Sequence, residues 1–240
     1  MWTSTELAFE HRQYDGRVWW VVEAQHRIST NRLVANGAEQ ELLEILAEEV
    51  KPRLPESAGH LDFLLSAPFR YGHRQESRFR MADELPGIFY AAESEATAIA
   101  EAAYWRLRFF SRSPSFTPPS TTIEHTSFHV RVSSSHALDL TAEPFIANEQ
   151  NWTSPVDYAA CQELASAARE ANTGLIRTIS ARDPQRRCNV VILDPAVFAE
   201  RSPRVRHTWH FRYQAGQLIA LAAFPSHDRF EFTPGSFGLG

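Results

Sequence analysis

Short apolar runs alternate with stretches of helical apolar spacing along the chain, and this pattern predicts a mixed α+β fold. Residues 17–30 combine aromatic and β-branched side chains, which favours a strand. Residues 38–55 then show the spacing of an amphipathic helix, which the prolines at its far end terminate. The predicted apolar side of this helix is formed by Leu42, Leu43, Leu46 and Val50.

The centre of the chain continues the alternation. The run at 63–71 predicts a strand, and an arginine-rich loop follows it. A second strand is predicted at 88–92, after which Ser94 can cap a helix that continues to about Phe110. Beyond a loop rich in proline and serine, the pattern predicts a strand at 126–134, a helix at 157–171 and strands at 174–180 and 188–194.

A hairpin is predicted near the end of the sequence, where 205–213 and 217–224 flank a short turn. The tail at 234–240 is expected to be loose. The chain thus divides into three predicted regions. They are an N-terminal helical and strand extension that packs on the core (1–62), a central domain (63–200) and a C-terminal hairpin with its tail (201–240).

Composition narrows the class of protein. The chain has 240 residues, 43% of them apolar, which is enough for one sizeable core. No apolar run is long enough for a transmembrane helix and the first residues lack a secretory pattern, so no membrane association is expected. Cys161 and Cys188 stand alone, as is typical of a cytoplasmic protein with free thiols. The net charge of −5 argues against direct nucleic-acid binding.

The strongest local charge is a cluster of four arginines within eleven residues: Arg70, Arg74, Arg78 and Arg80. Guanidinium groups bind phosphate oxygens in a bidentate manner, so the cluster is a candidate cradle for a pyrophosphate. The alternative is a solvated surface loop. Aromatic residues between the arginines would also allow a base to stack there.

Other candidates are single residues. Glu101 shares a helical sector with Thr97, and it either faces a pocket or belongs to a solvated stripe beside the core. Tyr71 and Tyr90 either stack on a planar ligand or are ordinary strand residues. Ser180 lies after a short predicted strand. The histidine spacing does not predict a metal site, and no glycine-rich nucleotide motif is present.

In their order and spacing these elements resemble the RES family, the toxin half of bacterial RES–Xre toxin–antitoxin pairs. The resemblance covers about 63–195 and implies an ADP-ribosyltransferase-like fold. The residues that carry it are Arg70, the step Ser77, Arg78 and Phe79, then Tyr90, Thr97 with Glu101, and Ser180 with Arg182.

The resemblance implies that NAD is a substrate and not a bound cofactor, and that its nicotinamide–ribose bond is cleaved. Arg70 and Arg78 would bind the pyrophosphate. Glu101 would bind the ribose hydroxyls and stabilise the positive charge that develops on the ribose.

The same resemblance places Tyr71 and Tyr90 beside the nicotinamide or the ribose, and it gives Ser180 and Arg182 a supporting role. The implied catalytic residues are Glu101, Arg70, Tyr90 and Ser180. The implied NAD-binding residues are Arg70, Tyr71, Arg78, Tyr90 and Arg182.

Three acceptors remain open: water, inorganic phosphate and a protein side chain. Phosphate would need one further basic group, for which Arg74, Arg80, Arg177 and Arg182 are candidates. An Xre-type helix-turn-helix antitoxin that covers the cleft is the implied partner, and a homodimer is a further expectation without specific residue support. The competing hypotheses are a nucleic-acid-binding module and a catalytically inactive RES-like binding protein.

Overall fold

A computed structural model describes residues 2–24, 36–49, 51–112, 118 and 121–239. Within these ranges the chain has the predicted α+β fold, with eight strands in one sheet. The strands are β1 (Arg12–Glu23), β2 (Phe89–Ala92), β3 (Ile123–Asp139), β4 (Leu175–Ile179), β5 (Cys188–Ile192), β6 (Arg204–Gln214), β7 (Gln217–Ala222) and β8 (Arg229–Phe232). The helices are α1 (Ser4–Phe9), α2 (Gly37–Glu49), α3 (Phe63–Arg70), α4 (Glu95–Ser111), α5 (Glu149–Thr153) and α6 (Ala159–Glu170).

The sheet closes on itself over part of its width. Its order is β1-β2-β5-β4-β3-β6-β7-β8, and an additional pairing of β1 with β3 joins the first five strands into a ring. β1 and β3 pair along most of their length, whereas β1 meets β2 at a single position, Trp19 opposite Ala92. The ring is therefore tight on the β3 side and open between β1 and β2.

The main core lies where the five strands of the ring face one another. Each strand contributes buried apolar side chains to one cluster, including Val18, Phe89, Val132, Leu175 and Ile192. Helix α3 adds Leu65 and Phe69 to the same cluster and so packs against the ring. Burial of this apolar surface is the dominant stabilising contribution to such a core.

Two further clusters cover the outside of the ring. One joins α6 to β4 and β5 through Leu164, Ala168, Ile176 and Val191. The other joins α4 to β1, β2 and the C-terminal strands through Val21, Ala92, Ile99, Ala103, Trp209 and Phe211. Helix α4 is thus held between the open side of the ring and the C-terminal strands.

The predicted strand at 63–71 is wrong, because this segment forms helix α3. Asp62 caps the helix by accepting a hydrogen bond from the backbone N–H of Leu64 at 2.9 Å. Leu65 and Phe69, which lie four residues apart, are both fully buried. Helical periodicity therefore decides this segment, and Arg70 ends a helix and not a strand.

Helix α2 forms as predicted and ends before the prolines, but its apolar side does not pack as expected. Leu42, Ile45 and Leu46 are exposed by 57, 51 and 49%, so the predicted burial of Leu42 and Leu46 is wrong. Val50 and the second half of the predicted strand at 17–30 lie outside the described residues.

The described part of the tail, 234–239, is packed against the core, contrary to prediction. A 3₁₀ turn at Gly235–Phe237 brings the Phe237 ring to 5.6 Å from the rings of both Tyr104 and Phe232. The phenyl group is only 7% exposed, and its burial is the physical reason that the segment is fixed. The tail therefore supports α4, which carries Tyr104.

The predicted C-terminal hairpin is confirmed by β6 and β7, whose turn holds Ala215 and Gly216 at positive φ. Strands from all three predicted regions lie in the one sheet: β1 comes from 1–62, β2 to β5 come from 63–200, and the rest follow residue 200. Among the described residues, no helix is long and apolar enough to cross a membrane.

Candidate active site

A cavity of about 370 Å³ lies where β1 and β2 diverge, with α4 as its opposite wall. Because the two strands share one paired position, the side chains of α4 approach a gap in the ring and not a continuous sheet. The strands and the helix contribute Trp19, Val21, Tyr90, Ala92, Glu101 and Trp105 to the lining. The predicted acid and one predicted tyrosine thus face the same space.

Glu101 is anchored through one of its two carboxylate oxygens. The Ser180 hydroxyl donates a 2.6 Å hydrogen bond to Oε1, and the Asn189 side-chain amide donates to the same oxygen. Ser180 is itself oriented, because its Oγ accepts hydrogen bonds of 3.1 Å from the backbone N–H groups of Arg182 and Asp183. The hydroxyl hydrogen is therefore left for Glu101, which fixes the direction of the carboxylate.

Arg182 lies in the cavity wall against the aromatic ring of Tyr104. Its guanidinium carbon is 3.7 Å from the ring centroid, and its Nη2 donates to the hydroxyls of Tyr104 and Tyr158 and to the Pro155 carbonyl. Burial raises the pKa of Tyr104, with Arg182 acting in the opposite direction. The Nε and Nη1 groups of Arg182 make no hydrogen bond within the described chain, so they are available to an anion.

Arg78 is held in a similar way on another side of the cavity. It is 7% exposed, and its Nη1 donates to the carbonyls of Trp152 at 2.9 Å and Ile179 at 3.3 Å. Its Nε and Nη2 have no such partner in the part of the chain that the structure describes. Arg78 and Arg182 are therefore fixed in place and still keep donors for a ligand.

Tyr90 positions the segment that carries Arg78. Its hydroxyl donates to Ser77 Oγ at 3.0 Å and accepts from the backbone N–H of Phe79 at 2.9 Å. Burial raises the pKa of Tyr90 to about 12, so the phenol stays protonated near neutral pH. These contacts give Tyr90 an anchoring role beside the cavity.

The remaining predicted arginines and Tyr71 are not among the residues that line the cavity. Arg70 ends α3, and Tyr71 follows it as the capping residue. Arg80 is buried and donates to the backbone carbonyls of His73 and Met81, which closes its own loop. Arg74 is exposed. The predicted cluster of four arginines thus contributes one member, Arg78, to the cavity.

Several cavity residues were missed by the sequence reasoning. The β1 side is formed by Trp19, Trp20, Val21 and Glu23, and Asn189 projects from β5. Arg106 of α4 also lines the cavity and forms a 2.8 Å ion pair with Glu23. The signal available for β1 was the alternation of the strand, since Trp19, Val21 and Glu23 lie on one face. Asn189 carried no local signal.

The described residues support neither metal binding nor nucleophilic attack by a cysteine thiol. No group of three or more histidine, cysteine or acidic residues is close enough to hold a metal ion there. Burial raises the pKa of Cys161 to about 11 and that of Cys188 to about 11. Both thiols are therefore protonated near neutral pH and are poor nucleophiles.

Comparison with known proteins relates this chain to a protein family. A chain in the crystal structure of the M. tuberculosis MbcT–MbcA toxin–antitoxin complex is similar to this chain, with 11% sequence identity and a TM-score of 0.46, over 98% of this chain and 93% of that one. A search of curated proteins returned no match. The RES domain model matches residues 53–214, which is more than half of the sequence. The chain therefore belongs to the RES domain family.

Proposed function

We propose that this protein consumes NAD⁺ by cleaving the bond between nicotinamide and ribose. The observation that carries the proposal is Glu101, whose carboxylate is anchored inside a cavity that it shares with two arginines holding unused donors. A positioned carboxylate can stabilise the positive charge that develops on the ribose as the bond breaks. The two arginines suit the anionic pyrophosphate of the same ligand.

Arg78 and Arg182 are the groups proposed to bind the pyrophosphate. Each is fixed by hydrogen bonds through one nitrogen, so little side-chain freedom is lost when the remaining donors meet phosphate oxygens. Arg70 and Tyr71, which the family resemblance suggested for NAD binding, are not among the residues that line the cavity and have no part in this proposal. Ser180 supports Glu101, and Tyr90 supports the Arg78 segment.

The aromatic walls fit the planar rings of the ligand. Trp19 and Trp105 line the cavity, and Trp105 is 43% exposed, so its ring offers an accessible face. Indole rings stack favourably on planar heterocycles. We propose that the nicotinamide or the adenine packs on this side.

The acceptor that attacks the ribose is water, phosphate or a protein side chain. Among the arginines considered for phosphate, Arg177 is paired with Glu93 and Asp139, and Arg80 is used within its loop. Arg182 is the one of these arginines that lines the cavity. If phosphate is the acceptor, NAD⁺ loss depends on its presence in the assay.

Membership of the RES family supports the proposal that the protein is a toxin with a cognate antitoxin. An Xre-type helix-turn-helix protein that blocks the cavity is the proposed partner. Cytoplasmic location and a homodimer stay predictions.

The experiment is incubation of the purified protein with NAD⁺, with and without phosphate, while nicotinamide and ADP-ribose products are quantified. Glu101→Gln keeps the shape of the side chain and removes its charge, so nicotinamide release should fall to background. Glu163→Gln is the matched control, because Glu163 is an exposed glutamate of α6.

Each outcome has a distinct meaning. The co-product identifies water or phosphate as the acceptor, and transfer of label from NAD⁺ to lysate proteins identifies a protein ADP-ribosyltransferase. Full turnover by folded Glu101→Gln protein would remove Glu101 from the mechanism. If the antitoxin-free protein neither releases nicotinamide nor labels protein, the alternative of an inactive binding protein takes the place of the enzyme.

A further inference from the structure

We infer that Asn189 is a positioning residue that, with Ser180, holds Glu101 Oε1 and leaves Oε2 as the oxygen that meets the substrate. The inference rests on the proposed function for its kinetic consequence, although the contact itself is independent of any activity. Ser180 Oγ and Asn189 Nδ2 both donate to Oε1, and no hydrogen bond to Oε2 exists within the described chain. The carboxylate is therefore asymmetric, with one bound oxygen and one unused oxygen.

The backbone of Asn189 is fixed from both sides. It lies opposite Ala92 of β2 and opposite Thr178 of β4, so the residue occupies the centre of three adjacent strands. The side chain is only 2% exposed. A donor placed on such a scaffold holds its acceptor more strictly than a donor on a loop can.

The second atom of the amide shows that Asn189 acts through Glu101. Its Oδ1 is buried and has no hydrogen-bond partner among the described residues, although buried acceptors are normally satisfied. The opposite orientation of the amide would place Oδ1 against the carboxylate oxygen, and two acceptors repel each other. The orientation of the amide is therefore set by its hydrogen bond to Glu101, although this orientation leaves Oδ1 unsatisfied and lowers stability.

The two donors also fix which carboxylate oxygen can meet the ligand. Both point at Oε1, so Oε2 is left to face the positive charge that develops on the ribose. The other charged or titratable side chains at the cavity include Glu23, Arg78, Arg106, His125 and Arg182, and the variants below leave all of them in place.

The test compares Asn189→Ala and Asn189→Asp with Thr178→Val. Thr178 is the matched control, because it is the cross-strand neighbour of Asn189 and is fully buried. Within the described chain its side-chain oxygen also has no hydrogen-bond partner, so it makes no hydrogen bond to Glu101. The first readout is the ¹³C chemical shift of the Glu101 carboxyl carbon at one fixed pH, assigned with Glu101→Gln. The resonance should move in Asn189→Ala, where a donor to Oε1 is lost, move further in Asn189→Asp, where a second carboxyl group replaces that donor, and stay in place in Thr178→Val.

The second readout is NAD⁺ turnover. In Asn189→Ala, kcat should fall at least roughly 10-fold with a smaller change in KM, because a donor that orients the reacting group is lost. In Asn189→Asp the fall in kcat should be larger, because a carboxylate oxygen accepts where the amide donated. A merely structural role would lower the folded fraction and leave kcat of the folded protein unchanged.

The outcomes separate the two proposals. An unchanged Glu101 carboxyl resonance in both folded Asn189 variants would overturn the inference, whether or not the protein turns over NAD⁺. A shifted resonance in a protein that releases no nicotinamide would support the contact and count against the proposed function. A shifted resonance with unaltered kcat would overturn the positioning role while the contact stands.

Discussion

Thr97, in the first turn of α4, donates a 2.6 Å hydrogen bond to the carboxylate of Asp183, which lies 86 residues later in the loop after β4. The same loop carries Ser180 and Arg182, while α4 carries Glu101 and Tyr104. This one bond therefore fixes the start of the helix to the loop from which Glu101 is oriented. Asp183 is held from the other side by Arg187, at 2.6 Å.

Replacing Thr97 with valine should destabilise the protein by about 1–2 kcal/mol, because a buried hydrogen bond to a charged group is lost while the side-chain shape is kept. Asp183 retains Arg187 as a partner, so the larger penalty of an unpaired buried charge does not arise. Urea unfolding of the wild type and Thr97→Val measures the difference. An unchanged midpoint with an unchanged m-value would contradict this role for the bond.

Acid should destabilise the fold partly through Asp183. Burial acts to raise the pKa of Asp183, but hydrogen bonds from Arg187 and Thr97 outweigh it and hold the pKa below the ordinary value of 3.8. Because the unfolded chain then binds the proton first, this contribution is present above about pH 4 and is lost as pH falls through the lower folded-state pKa.

The measurement is the free energy of unfolding between pH 5 and pH 2.5 for the wild type and for Asp183→Asn. The variant should be less stable at pH 5 and should lose less stability on acidification. Parallel pH curves for the two proteins would show that Asp183 is not one of the groups responsible.

Replacing Arg78 and Arg70 separately with lysine should lower NAD⁺ turnover only for Arg78, which lines the cavity. Arg78→Lys keeps the charge but loses the planar donor arrangement that reaches two carbonyls and a ligand together. The loss of one charge-assisted hydrogen bond should lower kcat/KM for NAD⁺ by about 10- to 100-fold. Arg70→Lys should stay near the wild type, because Arg70 does not line the cavity. Equal losses of kcat/KM in the two variants would indicate that Arg70 also belongs to the site.

The contribution of Arg182 to NAD⁺ binding should depend on the packing of its guanidinium group against the Tyr104 ring. Arg182→Lys cannot pack a flat cation on the Tyr104 ring, so NAD⁺ binding should weaken. Tyr104→Phe keeps the ring and loses only one hydrogen bond to Arg182, so its effect should be smaller. Calorimetric titration with NAD⁺ on Glu101→Gln backgrounds avoids turnover. A Tyr104→Phe effect as large as that of Arg182→Lys would assign the role to the hydroxyl and not to the ring.

Thiol reagents should leave the native protein intact. With the pKa of each cysteine raised to about 11, roughly one thiol in a thousand is ionised at pH 8. Labelling with a chromogenic disulfide should therefore be slow in the native state and rapid in urea. Fast labelling of either native cysteine, or loss of activity on labelling, would contradict this account.

Local signals in the sequence were sufficient for most elements and for part of the site. Ser94 caps α4 as expected, through its side chain and the Thr97 N–H, and this cap fixes the register that turns Glu101 towards the cavity. The Asp62 cap of α3 is equally local, but the apolar run that follows it also fits a strand. The burial of Leu65 and Phe69 against the ring decided the outcome.

The rest of the site depends on long-range pairing that no local pattern encodes. Asn189 reaches Glu101 across 88 residues, and it does so only because β5 lies beside β2. Trp19 enters the cavity because β1 is held by β3 and diverges from β2. The sequence placed Arg70 at the end of a strand, whereas it ends helix α3 and is not among the residues that line the cavity.

Because the strands of the ring come from distant segments of the chain, the ring can be completed only late in translation. Trp19 leaves the ribosome early, but its long partner β3 begins only at Ile123, and Asn189 follows later still. At roughly 5–20 residues per second, about ten to thirty seconds separate Trp19 from Asn189. Until Asn189 has been synthesised, Glu101 lacks one of its two hydrogen-bond donors and β2 lacks its partner strand β5. A nascent chain that stalls before β5 is therefore without a formed cavity, and whatever chemistry the cavity performs begins only once that strand has joined the ring.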